Sequence, residues 1–141
     1  MKPKALQRIL TQLGLICLIL ALQGSGVAKA SEGLKTPLIG LASWYSTEAC
    51  QFNRDPKCPT ASGRSLYELE EEGVRFAAMW GPGFGTKFRV VNVANGKSTT
   101  VVIYDRGPHR RLNRAIDLSK KAFQDIAGPN QGIIKVRIER V

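Results

Sequence analysis

The sequence predicts a small β-barrel with one or two short helices. Three observations carry this prediction: several short segments rich in β-branched and aromatic residues, the glycine, proline and Asn-Gly turns between them, and one amphipathic helix near the C-terminus. The stretch that contains these segments is about 100 residues long, which suffices for one domain around a single hydrophobic core. We therefore expect one domain with one functional site.

Four segments have the composition or the alternation of β-strands. They are residues 39–45, 86–93, 99–104 and the C-terminal stretch over 134–138. Asn95-Gly96 separates the second segment from the third and is expected to supply the positive φ angles of a tight hairpin turn. In the last segment β-branched residues alternate with charged ones, which is the period of a half-buried strand.

One helix is predicted with a start, an apolar stripe and an end. Asp117 or Ser119 is expected to cap its N-terminus, and Gly128-Pro129 is expected to end it. The stripe between them consists of Ala122, Phe123, Ile126 and Ala127. A second, shorter helix is compatible with residues 65–72, and the last three glutamates of that segment are expected to form a solvated face.

The N-terminus has the three parts of an export signal. Basic residues near the start precede an apolar run over 13–22, which is shorter than the roughly 20 residues that span a bilayer. Ala28 and Ala30 then fit the A-x-A pattern of a cleavage site, so cleavage is expected after Ala30. A retained membrane anchor is the alternative interpretation. Cys17 is interpreted as an apolar part of the signal, because the residues before it are too bulky for a lipid-acylation site.

This pattern divides the chain into a signal peptide over 1–30, a linker over 31–37 and one domain over 38–141. The predicted location is outside the cytoplasm, in the periplasm, the cell envelope or the medium. No stable membrane span is expected after cleavage, and the domain is expected to be a monomer.

The predicted mature chain is basic. The signal contains four of the 21 Lys and Arg residues and none of the 11 Asp and Glu residues, which leaves a net charge of +6. Such a charge suits anionic polymers, among them peptidoglycan stem carboxylates, teichoic acids and lipid head groups. Nucleic acid is disfavoured by export and by the lack of an interleaved aromatic and basic motif. A solvated basic face without a partner is the alternative.

Cys50 and Cys58 are the only cysteines that follow the signal. An even pair in an oxidising compartment predicts a disulfide. A zinc site is disfavoured because zinc prefers four ligands, and His109 is the only histidine that could join the two thiols. No metal and no cofactor are expected.

The densest group of chemically active residues is the segment Tyr-Asp-Arg-Gly-Pro-His over 104–109. Asp105 ends a predicted strand, and the Gly-Pro break after Arg106 turns the chain, which places the Asp105 carboxylate at the rim of the barrel. A carboxylate in such a place can act as a general acid or base. The alternative is a turn-capping aspartate paired with an arginine such as Arg106.

Five motifs in chain order carry a family resemblance. They are GLASWY at 40–45, PTASG at 59–63, GTKFRV at 85–90 with NGK at 95–97, DRGP at 105–108 and IDLS at 116–119. Together they resemble the rare lipoprotein A family of periplasmic or cell-surface proteins. The resemblance implies a mainly β fold, a six-stranded double-psi β-barrel, and endolytic peptidoglycan transglycosylase activity in the enzymatic members.

The resemblance also implies roles for acidic residues. Asp105 falls on the acidic residue of the family's Asp-Arg-Gly-Pro motif, which implies that it is the acid/base. Enzymatic members have a glutamate after Thr-Ala-small-Gly, where this chain has Arg64, and a histidine after the Ala-Ala pair, where it has Met79. Neither side chain can replace the proton chemistry of the residue that is missing. Glu68 is the candidate to replace the missing glutamate.

Five further residues are predicted to contact substrate. Trp44 and Tyr45 match the family's Trp-Tyr and are expected either to stack on sugar rings or to pack in the core. Arg64 and Arg106 are expected to bind stem-peptide carboxylates. His109 has no identifiable nucleophile or acidic partner, so a surface or substrate-contact role is expected.

The function predicted from these residues is that of an exported protein that acts on peptidoglycan glycan strands, as a lytic transglycosylase that leaves anhydromuramyl ends. The alternative, motivated by Arg64 and Met79, is a non-catalytic module that binds or loosens the wall like the expansins, which share this type of barrel.

Overall fold

A computed structural model describes residues 36–52 and 55–141. Six strands form a closed barrel: β1 Leu38–Tyr45, β2 Phe76–Ala78, β3 Lys87–Asn92, β4 Ser98–Asp105, β5 Ile116–Ser119 and β6 Ile134–Arg140. Their order around the barrel is β1-β5-β2-β4-β3-β6. The predicted signal peptide and most of the predicted linker lie outside the described residues.

The barrel is mixed, with two parallel pairs among antiparallel ones. β1 runs parallel to β5, and β2 runs parallel to β4. In the second pair Ala78 lies opposite Asp105, after a register shift between Ala77 and Ala78. Because parallel neighbours end at the same edge, the loops that follow β2 and β4 leave the barrel side by side. This edge carries the candidate site.

The interior is filled by alternate residues of the long strands. In β6, Ile134, Val136 and Ile138 are buried between exposed or half-exposed neighbours, as predicted. Phe88 and Val101 face each other across β3 and β4 and are fully buried. Burial of one such side chain contributes about 1.5–3 kcal/mol to folding, so these rows hold the barrel closed.

Two helices pack on the barrel, and both were expected. Helix α1 spans Leu66–Glu71 and helix α2 spans Lys120–Ile126. Ser119 caps α2, since its Oγ accepts the N–H of Ala122 at 3.3 Å. Asp117, the other candidate cap, lies within β5 and accepts the hydroxyl of Ser43. No helix in the described part of the chain is long and apolar enough to cross a membrane.

Three further turns are short 3-10 helices. They span Thr47–Phe52, Arg110–Leu112 and Pro129–Gln131. The first of them is fixed by α1, because the Glu70 carboxylate accepts the N–H of Thr47 at 3.0 Å and its hydroxyl at 2.8 Å. The prediction of a solvated glutamate face was therefore wrong for Glu70, which is half-buried.

The hairpin between β3 and β4 is confirmed, but its turn differs from the prediction. The N–H of Asn92 bonds to the carbonyl of Lys97 at 2.9 Å, so four residues form the loop. Only Gly96 has a positive φ, of 72°. The Asn95 amide instead bonds to neighbouring backbone, accepting the N–H of Lys97 at 2.9 Å and donating to the carbonyl of Ile126 at 3.0 Å.

Candidate active site

Asp105 stands at the centre of the site, at the end of β4. Its Oδ1 accepts the backbone N–H groups of Ala61 and Arg106, each at 2.8 Å. Its Oδ2 accepts the hydroxyl of Tyr45 at 3.2 Å. The side chain is half-buried. Three donors from three separate segments thus fix the carboxylate in one orientation at the barrel edge.

Tyr45 ends β1 and contacts Asp105 through its hydroxyl. Its ring packs edge-on against Phe76, with ring centroids 5.7 Å apart. Burial raises the pKa of the Tyr45 phenol well above its usual range, and the neighbouring Asp105 raises it further. The phenol is therefore neutral at physiological pH, and its O–H donates a hydrogen bond to Oδ2 of Asp105.

The turn over 59–65 brings a backbone donor to Asp105. The N–H of Gly63 bonds to the carbonyl of Thr60 at 2.8 Å, and the N–H of Thr60 bonds to the carbonyl of Arg64 at 2.8 Å. Gly63 has a φ of 87°, which favours glycine at this position of the motif. The N–H of Ser62 bonds to the carbonyl of Tyr104 at 3.0 Å, which fastens the turn to β4 beside the carboxylate.

The Gly-Pro break after Asp105 keeps the chain close to β2. Gly107 has a φ of 154°, and a Cβ placed on it would lie 3.4 Å from the Cβ of Ala78. The N–H of Met79 bonds to the carbonyl of Asp105 at 3.2 Å. A glycine here therefore permits both the backbone conformation and the close approach of the two loops.

The predicted disulfide between Cys50 and Cys58 is confirmed. Cys50 is buried in a second apolar cluster with Leu66, Leu69 and Phe76, and Cys58 packs against the same cluster. Cys50 lies in the 3-10 helix Thr47–Phe52, and Cys58 directly precedes the 59–65 turn, so the disulfide ties these two segments together. Among residues 36–52 and 55–141 no group of three or more metal-type ligands comes together.

The two positions that depart from the family pattern have different surroundings. Arg64 is near the site, because its guanidinium carbon lies 5.3 Å from the ring centroid of Tyr104, the residue before Asp105. Its Nη2 also donates to both carboxylate oxygens of Glu72, at 2.7 and 2.8 Å. Met79 is only 3% exposed and belongs to the main core. A Met79 side chain in the core offers no group to a substrate.

Glu68 lies on the exposed side of α1. It lines a depression of about 450 Å³ together with Pro56, Lys57, Pro59, Gly63, Ser65 and Tyr67. Asp105 does not line this depression. Glu68 and Asp105 thus both lie beside the 59–65 turn. In the described part of the chain no hydrogen bond joins their two carboxyl groups.

Trp44 and Tyr45 contact different parts of the molecule, as neighbours on a strand do. Trp44 is half-buried and packs on α2, with its ring centroid 6.5 Å from that of Phe123 and 5.3 Å from Nζ of Lys120. Only Tyr45 contacts Asp105. His109 is exposed, and its Nδ1 accepts the N–H of Arg111 at 3.3 Å at the start of a 3-10 helix.

Arg106 connects the Asp105 loop with the loop after β2. Its Nη1 donates to the carbonyl of Met79 at 3.0 Å, and its guanidinium carbon lies 4.0 Å from the centroid of the Phe84 ring. The indole N–H of Trp80 donates to the carbonyl of Pro108 at 2.7 Å. The backbone N–H of Ala61 that binds Asp105 was not predictable from the sequence, because no side chain marks a backbone donor.

These features define the class of the protein: it is a double-psi β-barrel. Two solved structures share the fold at 19% identity each. The expansin of Clavibacter michiganensis in complex with cellohexaose matches with a TM-score of 0.55, over 75% of this chain and 50% of its own. The Streptomyces papain inhibitor matches with a TM-score of 0.56, over 76% of this chain and 96% of its own.

The sequence comparisons identify the family. The lytic transglycolase family matches residues 38–138. The endolytic peptidoglycan transglycosylase RlpA of Rickettsia typhi is 53% identical over 104 residues, which is 71% of this chain and 29% of that protein. RlpA of Neisseria meningitidis serogroup A is 49% identical over 102 residues, 72% of this chain and 38% of that protein. The chain belongs to the RlpA family, and it spans less than half the length of these relatives.

Proposed function

We propose that this protein is an endolytic peptidoglycan transglycosylase with Asp105 as its acid/base. The observation that supports the proposal is the Asp105 carboxylate, which is held at the barrel edge by the amides of Ala61 and Arg106 and by the Tyr45 hydroxyl. A carboxylate in a fixed orientation is what proton transfer to and from a bound glycan requires. Relatives at about half identity carry the same activity in their names.

One carboxyl group suffices for this reaction. The Asp105 carboxyl gives a proton to the glycosidic oxygen as the bond between that oxygen and C1 of the muramyl sugar breaks. It takes the proton of the C6 hydroxyl of the same sugar as O6 bonds to C1. The products are a 1,6-anhydromuramyl end and a free hydroxyl on the leaving sugar, and the carboxyl returns to its starting state. Water takes no part, so the paired carboxylates of ordinary glycosidases are not needed.

The remaining candidate residues have proposed roles in this reaction. Glu68, exposed beside the 59–65 turn, is proposed to assist as a second acid, and Trp44 is proposed to contact sugar rings. Arg64, whose guanidinium lies over the Tyr104 ring, and Arg106, which follows Asp105 in the chain, are proposed to contact the strand. His109 is proposed to contact its edge. Export to the periplasm or envelope, where peptidoglycan lies, belongs to the same proposal.

Digestion of purified sacculi by the full chain tests the proposal. Mass spectrometry of the soluble products should find anhydromuramyl-ended glycans with the wild type, and Asp105→Asn should reduce their release at least about a hundredfold. Asp55→Asn is the matched control, because Asp55 is an exposed aspartate, and it should digest like the wild type. Wild-type protein that binds sacculi yet releases nothing over a range of pH would overturn the proposal in favour of a non-catalytic wall module.

A further inference from the structure

Asp117 is a second carboxylate on the barrel, and the proposed function gives it no role. It belongs to β5, between Ile116 and Leu118, which are fully buried in the core. Because neighbouring side chains of a strand point to opposite faces, the Asp117 side chain lies on the outer face of the barrel. It is nevertheless only 18% exposed. A carboxylate that is this enclosed requires polar partners.

The strand pairing places Asp117 in one row with Asp105. Asp117 lies opposite Ala78 in the antiparallel pair of β5 and β2, and Ala78 lies opposite Asp105 in the parallel pair of β2 and β4. Residues that lie opposite each other share a face of the sheet. Two strand spacings of about 4.8 Å put the Cα atoms of the two aspartates roughly 10 Å apart. Both carboxylates are therefore on the outer face, two strands from each other.

Only small groups separate the two aspartates in this row. The position between them is Ala78, and a Cβ placed on Gly107 would lie 3.4 Å from the Ala78 Cβ. The hydroxyl of Tyr45 lies within electrostatic reach of both carboxylates: burial is the main cause of its raised pKa, and the charges of Asp105 and Asp117 contribute after it. A ligand that lies over Gly107 can therefore meet both carboxylates.

One oxygen of the Asp117 carboxylate is held and the other is open. Its Oδ1 accepts the hydroxyl of Ser43, and Nε of Arg114 lies 3.7 Å from the same atom. That Nε is buried and makes no hydrogen bond in the described structure, so Ser43 and not Arg114 orients the carboxylate. Among the described residues no hydrogen bond reaches Oδ2. Asp125 differs, since Arg75 alone binds both of its oxygens.

The proposed reaction requires a negative charge in addition to the proton transfers of Asp105. As the bond between C1 and the glycosidic oxygen breaks, positive charge develops on C1 and on the ring oxygen, as it does in glycosidases. A carboxylate that is already oriented lowers this barrier, because nothing has to rearrange when the charge appears. Glycosidases place two carboxyl groups roughly 5 to 9.5 Å apart at the sugar, which two aspartates in this row can reach.

We infer that Asp117 is the second catalytic carboxylate of this site and stabilises the positive charge on the muramyl ring while Asp105 moves the protons. This inference rests on the proposed function. Asp117 exchanges no proton, so the balance of the reaction is unchanged. Ser43 is the positioning residue that orients Asp117, and the motif over 116–119 thereby gains a role in catalysis.

Steady-state kinetics of the full chain on solubilised glycan strands test this inference, with anhydromuramyl ends as the readout. Asp117→Asn should lower kcat about a hundredfold and change KM less than about twofold. Arg114→Gln should lower kcat at most about threefold, since it removes the ion pair and keeps the carboxylate. Asp125→Asn is the matched control, because it also removes a carboxylate paired with an arginine, and it should keep the wild-type kcat.

Ser43→Ala provides a second test that leaves the carboxylate in place. It removes the hydroxyl that orients Asp117, so kcat should fall about tenfold, also in the case that Asp117→Asn does not fold. Circular dichroism and melting temperature show which variants are folded.

An unchanged kcat in folded Asp117→Asn would overturn the inference, and so would an unchanged kcat in Ser43→Ala. Equal losses in Arg114→Gln and Asp117→Asn would assign the effect to the ion pair, and a rise in KM at constant kcat would assign Asp117 to substrate binding; both results also contradict the inference. A wild type that releases no anhydro ends overturns the proposed function and this inference together. An active wild type with inactive Asp105→Asn and active Asp117→Asn overturns the inference alone.

Discussion

The hydroxyl of Tyr45 donates a hydrogen bond to Oδ2 of Asp105 across 3.2 Å, between the ends of the first and the fourth strand. The sequence left two roles open for Tyr45, stacking on sugar rings or packing in the core. In the structure the half-buried ring of Tyr45 packs against Phe76, and its hydroxyl orients the carboxylate. Tyr45 is thus a positioning residue in the proposed reaction.

Tyr45→Phe should lower kcat about tenfold with little change in KM, because the ring stays in place while the carboxylate loses one of three donors. Loss of this partly buried hydrogen bond should also reduce the free energy of unfolding by about 1 kcal/mol. Steady-state kinetics on solubilised glycan strands, together with urea unfolding, measure both effects. A rise in KM at constant kcat would indicate instead that Tyr45 contacts the substrate.

Cys50→Ser should lower the free energy of unfolding by about 2–3 kcal/mol, since the disulfide closes a short loop that packs on the second apolar cluster. Urea unfolding of the oxidised wild type, the reduced wild type and the variant measures the difference. The reduced wild type should unfold close to the variant. If reduction leaves the unfolding midpoint of the wild type unchanged, the loop is held by its packing alone.

Gly107→Ala should destabilise the protein by about 1–3 kcal/mol and lower activity, because φ is 154° and a Cβ would lie 3.4 Å from that of Ala78. Thermal unfolding gives the first effect and sacculus digestion the second. Gly128→Ala is the matched control, since a Cβ there meets nothing within 4 Å and its φ is negative. Equal melting temperatures for both variants would contradict the role given to Gly107.

Asp125→Asn should destabilise the protein at neutral pH and have less effect in acid. Its hydrogen bond with Arg75 and, to a smaller extent, that with Thr99 lower the pKa of Asp125 below 3.8. A carboxylate with a lowered pKa stabilises the fold above its unfolded pKa, and that contribution is lost as the pH falls through the folded value. The pair is partly exposed, so the difference at pH 7 should be at most about 1 kcal/mol.

Unfolding curves at pH 7 and pH 3 for the wild type and Asp125→Asn measure this contribution. The two proteins should converge at the lower pH. A constant difference between them at both pH values would show that the Asp125 carboxylate does not stabilise the fold through its charge.

The sequence predicts the elements with a strong period, and the structure confirms them. In β6 apolar and polar residues alternate, and in α2 the apolar residues form one stripe. Each pattern buries its apolar residues in only one secondary structure, a strand for β6 and a helix for α2. The strands β2 and β5 lack such a signal, because three and four residues are too few to show a period and all of β2 is buried. Their places follow from the resemblance, which implies six strands.

The site was predictable only in part. Asp105 is marked by its motif, whereas its partners are a backbone amide from the 59–65 turn and a tyrosine at the end of β1. Glu70 was expected to be solvated, yet its carboxylate accepts the N–H and the hydroxyl of Thr47, 23 positions before it. Such pairings depend on how the loops fold over the barrel edge, and sequence periodicity holds no information about that.

Digestion of sacculi by the wild-type chain in ¹⁸O-labelled water distinguishes the proposed reaction from hydrolysis in a single measurement. Attack by the C6 hydroxyl forms the new end within the sugar, so mass spectrometry should find anhydromuramyl ends without ¹⁸O, and Asp105→Asn should abolish them. Reducing muramyl ends that carry one ¹⁸O, or equal release of anhydro ends by Asp105→Asn, would contradict the role proposed for Asp105.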